Sequence, residues 1–438
     1  MSDSTREKTE LGNYFVANYP PFSFWKPSFL SEALKVLNSP PEKSTPLGLY
    51  AHIPFCRKRC KFCYFRVYTD KNARDVDSYL DAIINEISLC SRLPVRGGRE
   101  LDFVYFGGGT PSYLSVNQLE KLFNGIKNSF SWSGSREVTF ECEPGTLQQH
   151  KLAALREMGV TRLSLGVENF SDEILESNGR AHHAAEIFRA FSWARELGFP
   201  LINIDLIAGM IGETTENWRD CINKTLEISP DCITIYQLEL PFNTVFSKEL
   251  KQVNQPDPLS ISDWPTKRSW VKYAFETFLA NGYEISSAYT LVKNKARMKF
   301  VYRDELWHGA DMFGTGVASF GHINGIHLQN LDAWENYLGE LQKGVIPLGR
   351  ALPVTPHQRL IREMILQLKT GYLESGYFEN KFKLDIFKEF GAQWESLERE
   401  GWIKLGQNSV KVTMDGLLQV DRLLPRFFEP EHLNARYT

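Results

Sequence analysis

Residues 47–63 read LGLYAHIPFCRKRCKFC, and this stretch decides the fold. Residues 47–53 form a short apolar run, which predicts a buried strand. Three cysteines follow directly, Cys56, Cys60 and Cys63, in the spacing CxxxCxxC. Thiolates are soft ligands that favour iron–sulfur clusters or zinc. The stretch therefore predicts a metal centre on the loop that follows the first strand.

The number of cysteines indicates which metal centre this is. A zinc site normally has a fourth Cys or His ligand, and no second CxxC follows nearby. Chance clustering of structural thiols is the other alternative. Three thiolates leave one iron of a 4Fe–4S cluster without a protein ligand, and the amino and carboxylate groups of S-adenosylmethionine (SAM) can chelate that iron. We therefore predict a 4Fe–4S cluster that cleaves SAM reductively to a 5′-deoxyadenosyl radical.

The pattern of the first strand is repeated along the chain. Five further apolar runs lie at Leu101–Phe106, Glu137–Glu141, Arg162–Gly166, Leu201–Ile207 and Cys232–Leu238. The segments between them have helical periodicity, as in Asp77–Leu89 and Asn117–Asn128. Six strand–helix units predict an α/β fold with a parallel sheet. Because six units are too few for an eight-stranded barrel, we expect an open partial (β/α)6 barrel or a doubly wound sheet.

Glycines and charged side chains follow the ends of these strands, where ligands bind in both folds. Gly107-Gly108-Gly109-Thr110-Pro111 follows the second strand, and glycines there let the backbone approach a ligand closely. Glu141, Glu168 and Asp205 lie at the ends of later strands and could hold an ammonium group or ribose hydroxyls. Arg180 could pair with a carboxylate through its planar guanidinium. The alternatives are a tight turn, helix caps and a surface ion pair.

Shifts in pattern divide the chain into four parts. These are an N-terminal arm, the barrel, a segment that covers the substrate, and a C-terminal winged-helix-like module, at residues 1–46, 47–250, 251–350 and 351–438. The aromatic stretch Tyr14–Trp25 is too apolar for a free tail, so we expect the arm to pack on a later part of the chain. The module ends in two short apolar runs, 401–405 and 409–412, which predict a small hairpin. Its mixed charge favours a packing or lid role over nucleic-acid binding.

Composition and charge exclude several classes of protein. The 438 residues carry a net charge of −3 and no basic block, which argues against a nucleic-acid partner. Met1–Leu11 is polar, and no apolar run approaches the roughly 20 residues of a membrane span. The seven cysteines, three of them within eight residues, are unlike a disulfide framework. These features predict a cytoplasmic protein that acts on a small molecule.

The motifs together resemble the superfamily of oxygen-independent coproporphyrinogen III oxidase, within the radical SAM enzymes. The resemblance rests on residues 49–63, 105–112, 165–170 and 204–209, and it extends from Leu47 to about Leu424. It implies a first SAM that contacts Tyr50, the Phe62 backbone, Gly108 and Glu141. It implies a second SAM that contacts Gly109, Thr110, Glu168, Arg180 and Asp205. The electron donor implied for such an enzyme is reduced flavodoxin or ferredoxin.

Three departures from the family's motifs narrow the predicted reaction. The oxidase has a further cysteine at the place of Phe65 and a glutamine at the place of Glu168. The haem-chaperone branch has a histidine that the stretch Tyr302–Trp307 lacks. The chain is therefore most similar to the class C radical SAM methyltransferases and related cyclopropanating enzymes.

This branch leads us to expect C-methylation or cyclopropanation of an sp2 carbon in a flat aromatic, quinone or tetrapyrrole-like substrate. The deoxyadenosyl radical would take hydrogen from the methyl group of the second SAM, and Glu168 or His322 would be the base. The arm and the segment Trp307–Asn330 would form walls of the substrate site. The alternatives are oxidative decarboxylation of a porphyrinogen or anaerobic haem opening, and a non-catalytic haem chaperone.

Overall fold

Six parallel strands form the centre of the molecule, and their order in the sheet follows their order in the chain. The computed structural model describes residues 15–41, 45–240, 244–246, 261–433 and 435. The strands are β1 (Leu47–Ile53), β2 (Phe103–Gly108), β3 (Glu137–Cys142), β4 (Arg162–Glu168), β5 (Leu201–Ala208) and β6 (Cys232–Gln237). All six predicted strands are present, and each boundary lies within two residues of the predicted one.

Helices connect these strands, as their apolar periodicity predicts. The connecting helices are α2 (Ala73–Ser91), α3 (Val116–Ser129), α4 (Gln149–Met158), α5 (Asp172–Ser177), α6 (Ala184–Glu196) and α7 (Thr215–Ile228), and α1 (Leu30–Leu37) precedes β1. Helix α2 begins with a capping box, in which Asn72 accepts the Asp75 N–H and Asp75 accepts the Asn72 N–H. Its buried residues recur at helical spacing and face the sheet, so α2 is fixed at its start and along its apolar side.

Further strands extend the sheet at both edges. They are β7 (Glu284–Ile285), β8 (Thr290–Val292), β9 (Asp311–Thr315), β10 (Phe320–Ile323), β11 (Ile326–Asn330) and β12 (Leu348–Pro353). Strand β9 pairs parallel with β1, β10 to β12 continue antiparallel beyond it, and β8 and β7 are antiparallel on the β6 side. Among the described residues nothing joins β12 to β7, so this twelve-stranded sheet is open. The predicted α/β fold with a partial barrel is confirmed.

Three helices of the middle segment pack around the barrel. They are α8 (Trp264–Ala280), α9 (Val301–Trp307) and α10 (Trp334–Gln342). Glu137, the first residue of β3, accepts the N–H groups of Val301 and Tyr302 at 3.0 and 3.2 Å. Helix α9 therefore lies at the amino-terminal end of the barrel strands, the end opposite the cysteine loop.

The C-terminal module has its own hydrophobic core. Its helices are α11 (Pro356–Leu368), α12 (Ser375–Phe382), α13 (Ile386–Glu389), α14 (Gly391–Arg399), α15 (Met414–Leu417) and α16 (Val420–Leu423). Its antiparallel sheet, of order β13-β15-β14, is made of β13 (Tyr372–Glu374), β14 (Ile403–Leu405) and β15 (Ser409–Val412). Helices followed by the β14–β15 hairpin give the winged-helix-like arrangement predicted from the sequence.

The N-terminal arm packs against the rest of the chain. Val16 and Tyr19 are buried in the core of the C-terminal module, and Lys26 pairs through its backbone with Ala351 on β12. Tyr14, the first residue of the predicted aromatic stretch, lies outside the described residues, as does the predicted boundary between 250 and 251. The predicted boundary between 350 and 351 falls inside β12 and has to be moved past Pro353. The rest of the division into four parts stays a prediction.

Short 3-10 helices and turns complete the chain. The 3-10 helices are Phe22–Phe24, Pro27–Phe29, Pro94–Arg96, Pro111–Tyr113, Pro144–Thr146, Leu424–Phe427 and Pro430–His432. None of the helices in the described ranges is both long enough and apolar enough to span a bilayer. The cytoplasmic location stays a prediction.

A buried carboxylate ties the sheet extension to the barrel. Glu86 on α2 is 1% exposed and accepts hydrogen bonds from the Gly316 N–H at 2.8 Å, the Asn330 amide at 2.5 Å and the Tyr337 hydroxyl at 2.6 Å. These donors come from the end of β9, from β11 and from α10. The Glu86 side chain therefore accepts hydrogen bonds from three elements that are far from α2 in the sequence.

Replacement of Glu86 by leucine is expected to destabilise the fold. The variant leaves the buried Gly316 N–H and Tyr337 hydroxyl without an acceptor and removes one of the acceptors of Asn330, and each donor left unpaired costs roughly 1–3 kcal/mol. We expect Glu86→Leu to lower the free energy of unfolding by about 3–5 kcal/mol, measured by urea unfolding. The exposed Glu120 on α3 is the control, and Glu120→Leu is expected to change stability by less than about 0.5 kcal/mol. Equal midpoints for the two variants would contradict this role of Glu86.

Candidate functional site

The cysteine loop is held in place by backbone hydrogen bonds on both of its sides. The Cys56 N–H donates to the Tyr68 carbonyl at 3.0 Å, and the Tyr68 N–H donates to the Pro54 carbonyl at 2.7 Å. On the other side, the Lys61 N–H donates to the Asn178 carbonyl at 3.0 Å. The loop is thus fixed between the end of β1 and the segment that follows α5.

Two donors point at the sulfurs of this loop. The Thr110 hydroxyl lies 3.4 Å from Cys56 Sγ, and Arg180 Nη1 lies 3.4 Å from Cys60 Sγ. Burial raises the pKa of the Cys56 thiol to about 12 and that of Cys63 to about 11, so thiolates here need the positive charge of a metal centre. Hydrogen-bond donors to sulfur stabilise the thiolate form. The loop therefore has the chemistry of an iron–sulfur ligand set.

The spacing of the three sulfurs also fits a cluster better than a single ion. A tetrahedral zinc with 2.3 Å bonds to sulfur requires ligand sulfurs about 3.8 Å apart. The only described group of three Cys, His or acidic residues whose ligand atoms all lie within 4.8 Å of one another is Glu429, Glu431 and His432. At least one pair of the sulfurs of Cys56, Cys60 and Cys63 therefore lies farther apart than 4.8 Å, which does not suit three thiolate ligands of a single zinc ion.

The glycine run packs against the cysteine loop. The Gly109 N–H donates to the Ile53 carbonyl and the Thr110 N–H to the Phe55 carbonyl, both at 2.8 Å. A Cβ on Gly109 would lie 2.9 Å from the Phe55 oxygen and 3.0 Å from Cys56 Sγ. Gly108 has φ 118°, and a Cβ there would lie 2.5 Å from the His52 ring. Both positions therefore require glycine, for reasons of space and of backbone conformation.

Three carboxylates lie above the barrel core at the strand ends, of which Glu168 is buried and Glu141 and Asp205 are partly buried. Glu141 on β3 accepts from the Tyr105 hydroxyl at 2.6 Å and from the Gly108 N–H at 3.1 Å. Burial, with a smaller contribution from the negative charge of Asp205, raises the pKa of both Glu141 and Glu168 to about 7. Burial also raises the pKa of Asp205, which accepts from Ser164 at 2.9 Å. Such a layer favours a cationic ligand.

Arg180 connects this carboxylate layer to the cysteine loop. Its Nη2 donates to the Gly166 carbonyl at 2.6 Å and lies 3.6 Å from Glu168, while its Nη1 contacts Cys60. Its Nε is buried without a hydrogen-bond partner among the described residues. Glu168 has φ 64°, a conformation that is uncommon for a residue with a side chain, and a bulge in β4 accompanies it. The bulge turns the Glu168 carboxylate towards Arg180.

Tyr50 and Phe62, the remaining residues predicted to contact SAM, also lie at the carboxyl-terminal end of the barrel strands or closer to the middle of the barrel. The Tyr50 hydroxyl is 3.2 Å from His52 Nδ1, and the Tyr50 ring stacks on Tyr105. Phe62 packs on a cluster of apolar residues that contains Met210 and Leu238. The structure therefore brings every predicted cluster and SAM residue into one region, and the individual contacts to SAM stay predictions.

His322, one of the two predicted bases, is placed elsewhere. It lies on β10, where its Nδ1 is 2.9 Å from His327 Nδ1, and His327 in turn contacts the Tyr19 carbonyl at 3.0 Å. The positive charges nearest to His322 are those of α11 and α12. Its described contacts do not include the cysteine loop or the three carboxylates. The prediction of His322 as a base is therefore corrected, because β10 is added outside β9, beyond the edge of the barrel.

Sequence reasoning missed several polar residues of the site. Asn203 donates to Ser164 at 2.8 Å and to Asp205 at 3.0 Å, so a small network holds the Asp205 carboxylate. The signal was available for Asn203, because it lies two residues before Asp205 on one face of β5. The same signal was available for Tyr105, because it lies two residues before Gly107 on one face of β2. Tyr302 packs on Tyr105 with ring centres 4.3 Å apart, and no local pattern predicts that contact.

Known proteins share this arrangement. Residues 50–224 match the Radical SAM superfamily, and the ligand set described above fits its cofactors, so the chain is a radical SAM enzyme that uses a 4Fe–4S cluster and SAM. The heme chaperone HemW of Bacillus subtilis (strain 168) is 30% identical over 374 residues, which cover 84% of this chain and 96% of HemW. The chain belongs to the family of HemW and the oxygen-independent coproporphyrinogen III oxidases.

Two further relatives span nearly the whole chain. The oxygen-independent coproporphyrinogen III oxidase of Synechocystis sp. is 26% identical over 430 residues, or 94% of this chain and 91% of that protein. The structure of coproporphyrinogen III oxidase (HemN) from Escherichia coli superposes with a TM-score of 0.82 at 24% identity, covering 94% of this chain and 96% of HemN. These relatives confirm the fold and the family, and they give no support to the methyltransferase branch expected from the sequence.

Substitution of Gly109 by alanine is expected to remove the cluster. The added Cβ would push against the Phe55 carbonyl and Cys56 Sγ, and the cysteine loop would have to move. We expect less than about a tenth of the wild-type iron and sulfide per chain after anaerobic reconstitution, since ligand placement of this kind costs 10–100-fold in affinity. The control is Gly376→Ala on α12, where nothing lies within 4 Å of the added Cβ. Full iron content in the Gly109 variant would show that the loop tolerates the shift.

Proposed function

We propose that this enzyme acts on a tetrapyrrole, and that the reaction is radical oxidation of a porphyrinogen. The observation that carries the proposal is that the 30% and 26% identical relatives, one named for heme and one for coproporphyrinogen, match 84% and 94% of this chain. The likeness therefore extends well beyond the barrel, into the parts that cover the site. C-methylation, our expectation from the sequence, has no such support.

The roles of the site residues follow from their chemistry. When bound, the cluster and SAM supply the reductive cleavage that generates the 5′-deoxyadenosyl radical. Cys56, Cys60 and Cys63 are the proposed cluster ligands. Tyr50, the Phe62 backbone, Gly108 and Glu141 are proposed for the first SAM, and Gly109, Thr110, Glu168, Arg180 and Asp205 for the second.

Within these sets, charge decides what each side chain can do. Glu141 can accept hydrogen bonds from the SAM amino group, since its carboxylate is already oriented by Tyr105 and Gly108. Arg180 can hold a SAM carboxylate, since its guanidinium is fixed by the Gly166 carbonyl and has one N–H unused within the described structure. Glu168 is the remaining candidate for a group that moves a proton in the site.

A pocket beside the carboxylate layer is the proposed place for one part of a flat substrate. It is lined by the aromatic rings of Phe15, Tyr236 and Tyr289 and by the carboxylates of Glu239 and Asp421. Tyr236 is at the end of β6, where Asp205 and Glu141 add to the effect of burial and raise the pKa of its hydroxyl. Tyr236 and Tyr289 stack at 6.3 Å between ring centres. A ring system placed here would lie next to the SAM residues.

C-methylation remains a second candidate because of two residues. Phe65 and Glu168 occupy the places where the oxidase motif has cysteine and glutamine. Phe65 is 49% exposed and packs on Tyr64 at 4.6 Å, so an aromatic pair replaces a thiol beside the cluster loop. The haem-chaperone alternative has more support than C-methylation, because the 30% identical relative is a heme chaperone, although the stretch Tyr302–Trp307 lacks the histidine of that branch.

Counting the products of SAM tests both candidates. Anaerobic incubation of cluster-loaded protein with labelled SAM, reductant and coproporphyrinogen III should yield deoxyadenosine, no S-adenosylhomocysteine, and a porphyrinogen that has lost carbon dioxide. Cys60→Ala should abolish deoxyadenosine formation, because the cluster loses a ligand. The control is Cys221→Ala, a buried cysteine of α7 outside the site, which should retain activity.

Other product patterns identify the alternatives. One S-adenosylhomocysteine for each deoxyadenosine would show methyl transfer and exclude the porphyrinogen oxidase. Uptake of haem without any cleavage of SAM would show a chaperone. Zinc uptake in place of a brown chromophore would contradict the whole assignment.

The pH dependence of SAM binding tests the role of Glu141. Because burial raises its pKa to about 7, the carboxylate is lost as the pH falls through 7. We expect the affinity of cluster-loaded protein for SAM to fall about tenfold between pH 8 and pH 6, following the ionised fraction. Glu141→Gln should bind SAM more weakly and show a smaller slope, measured by equilibrium dialysis. If the SAM affinities of the wild-type protein and of Glu141→Gln changed with pH in the same way, the titrating group would be SAM itself or Asp205 and not Glu141.

A further inference from the structure

Positive charge is concentrated around the cysteine loop. Residues 56–74, called here the basic rim, contain seven basic residues and one acidic residue, Asp70, whereas the whole chain has a net charge of −3. The basic residues of the rim are Arg57, Lys58, Arg59, Lys61, Arg66, Lys71 and Arg74. The rest of the chain therefore carries a net negative charge, whereas the basic rim carries a net positive charge.

The fold holds the rim close to the cluster ligands and in contact with solvent. Tyr68 pairs with Phe55, so the chain after the loop returns alongside the end of β1. The side chains of Arg57 and Arg66 are 36% and 51% exposed, and Lys58, between two of the cysteines, is exposed as well. Positive side chains therefore lie on both flanks of the cysteine loop.

Internal contacts account for only part of this charge. Arg57 pairs with Glu143, and Arg59 donates to the Cys63 carbonyl at 3.3 Å, so these two residues fix the loop. Arg66 lies 3.3 Å from Asp332, but both are exposed, and such pairs contribute at most about 1 kcal/mol. Lys58 has no ion pair with another described residue. These exposed positive charges are available to an external partner.

Reductive cleavage of SAM needs an electron from outside the protein. The cysteines other than the cluster ligands are Cys90, Cys142, Cys221 and Cys232, and all four are buried and scattered among the barrel elements. The described structure thus offers no second thiol site for storing electrons. A carrier protein that delivers the electron has to approach the cluster.

We propose that the basic rim is the docking surface for an acidic one-electron carrier protein, such as a flavodoxin or a ferredoxin. The inference rests on the proposed SAM cleavage, because that reaction creates the need for an electron. Complementary charge would orient the carrier towards the cysteine loop and speed the encounter. The acidic remainder of the chain would repel the same carrier, so the rim would also select the productive orientation.

Charge reversal on the rim tests the proposal. The variant Lys58→Glu/Arg66→Glu is compared with Lys404→Glu/Lys411→Glu, which reverses two exposed charges of the C-terminal sheet. Reduction of the cluster by flavodoxin hydroquinone is followed by stopped-flow absorbance at low salt. The rim variant should lose roughly tenfold or more in the second-order rate constant, whereas the control should stay within about twofold. The difference should vanish near 1 M salt, where the screening length is about 3 Å.

A second readout does not depend on the loaded enzyme. Binding of flavodoxin to metal-free protein, measured by titration calorimetry or biolayer interferometry over a salt series, should weaken in the rim variant and not in the control. Failure of wild-type protein to cleave SAM with dithionite would refute the proposed function, while this binding measurement would still decide the docking surface.

Three results would overturn the proposal. Equal carrier rates and affinities in the rim and control variants would place the carrier elsewhere. An equal loss in reduction by dithionite would show that the charges tune the cluster itself. A loss confined to the affinity for coproporphyrinogen III would show that the rim binds the carboxylates of the substrate.

Discussion

The candidate site depends on the parallel register of β2 to β5, because that register decides which side chains stand at the same height. Glu141 lies opposite Ser164, and Gly166 lies opposite Asp205. Ser164 then donates to Asp205 at 2.9 Å across the strands. A slip of one residue would turn these side chains to the helix-covered face of the sheet. The backbone hydrogen bonds of the barrel thus fix the polar layer before any ligand contributes.

The electrostatics of this layer explain which ligand it suits. The three carboxylates lie near the fixed guanidinium of Arg180, which is 3.6 Å from Glu168 and also contacts Cys60. Burial makes the ionised carboxylates costly, as their raised pKa values show. A ligand that brings positive charge and N–H donors relieves this cost. SAM has both a sulfonium and an amino group, and its carboxylate can be held by Arg180, so the layer and the ligand balance each other.

The fold was predictable from local patterns, whereas parts of the site were not. The six barrel strands were recognised because each is a short apolar run followed by a helical period, and the cysteine spacing was readable because its ligands are adjacent in the chain. The contact between Arg180 and Cys60 joins residues 120 positions apart, so no spacing rule contains it. His322 was placed wrongly for the same reason. The sequence of the short strand β10 does not indicate whether His322 lies inside the barrel or beyond β9. In the structure, β10 lies beyond β9.

The sequence motifs did not identify the reaction for a different reason. The residues that bind the cluster are not the residues that select the substrate. The cysteine loop accounts for the cluster and for SAM cleavage, and many reactions share those steps. The pocket proposed for the substrate is lined by the arm, by β6 and by the C-terminal module, through Phe15, Tyr236 and Asp421. The Val16 N–H donates to Asp421 at 2.9 Å, and the fully buried Lys369 ion-pairs with Asp421 at 2.8 Å. Arm and module are therefore joined through Asp421 beside this pocket, while the Tyr236 ring on its wall stays 42% exposed. Relatives that match along nearly the whole chain are similar to it outside the barrel as well as inside it, and for that reason they carry more weight for the proposed substrate than the residues around the cluster do.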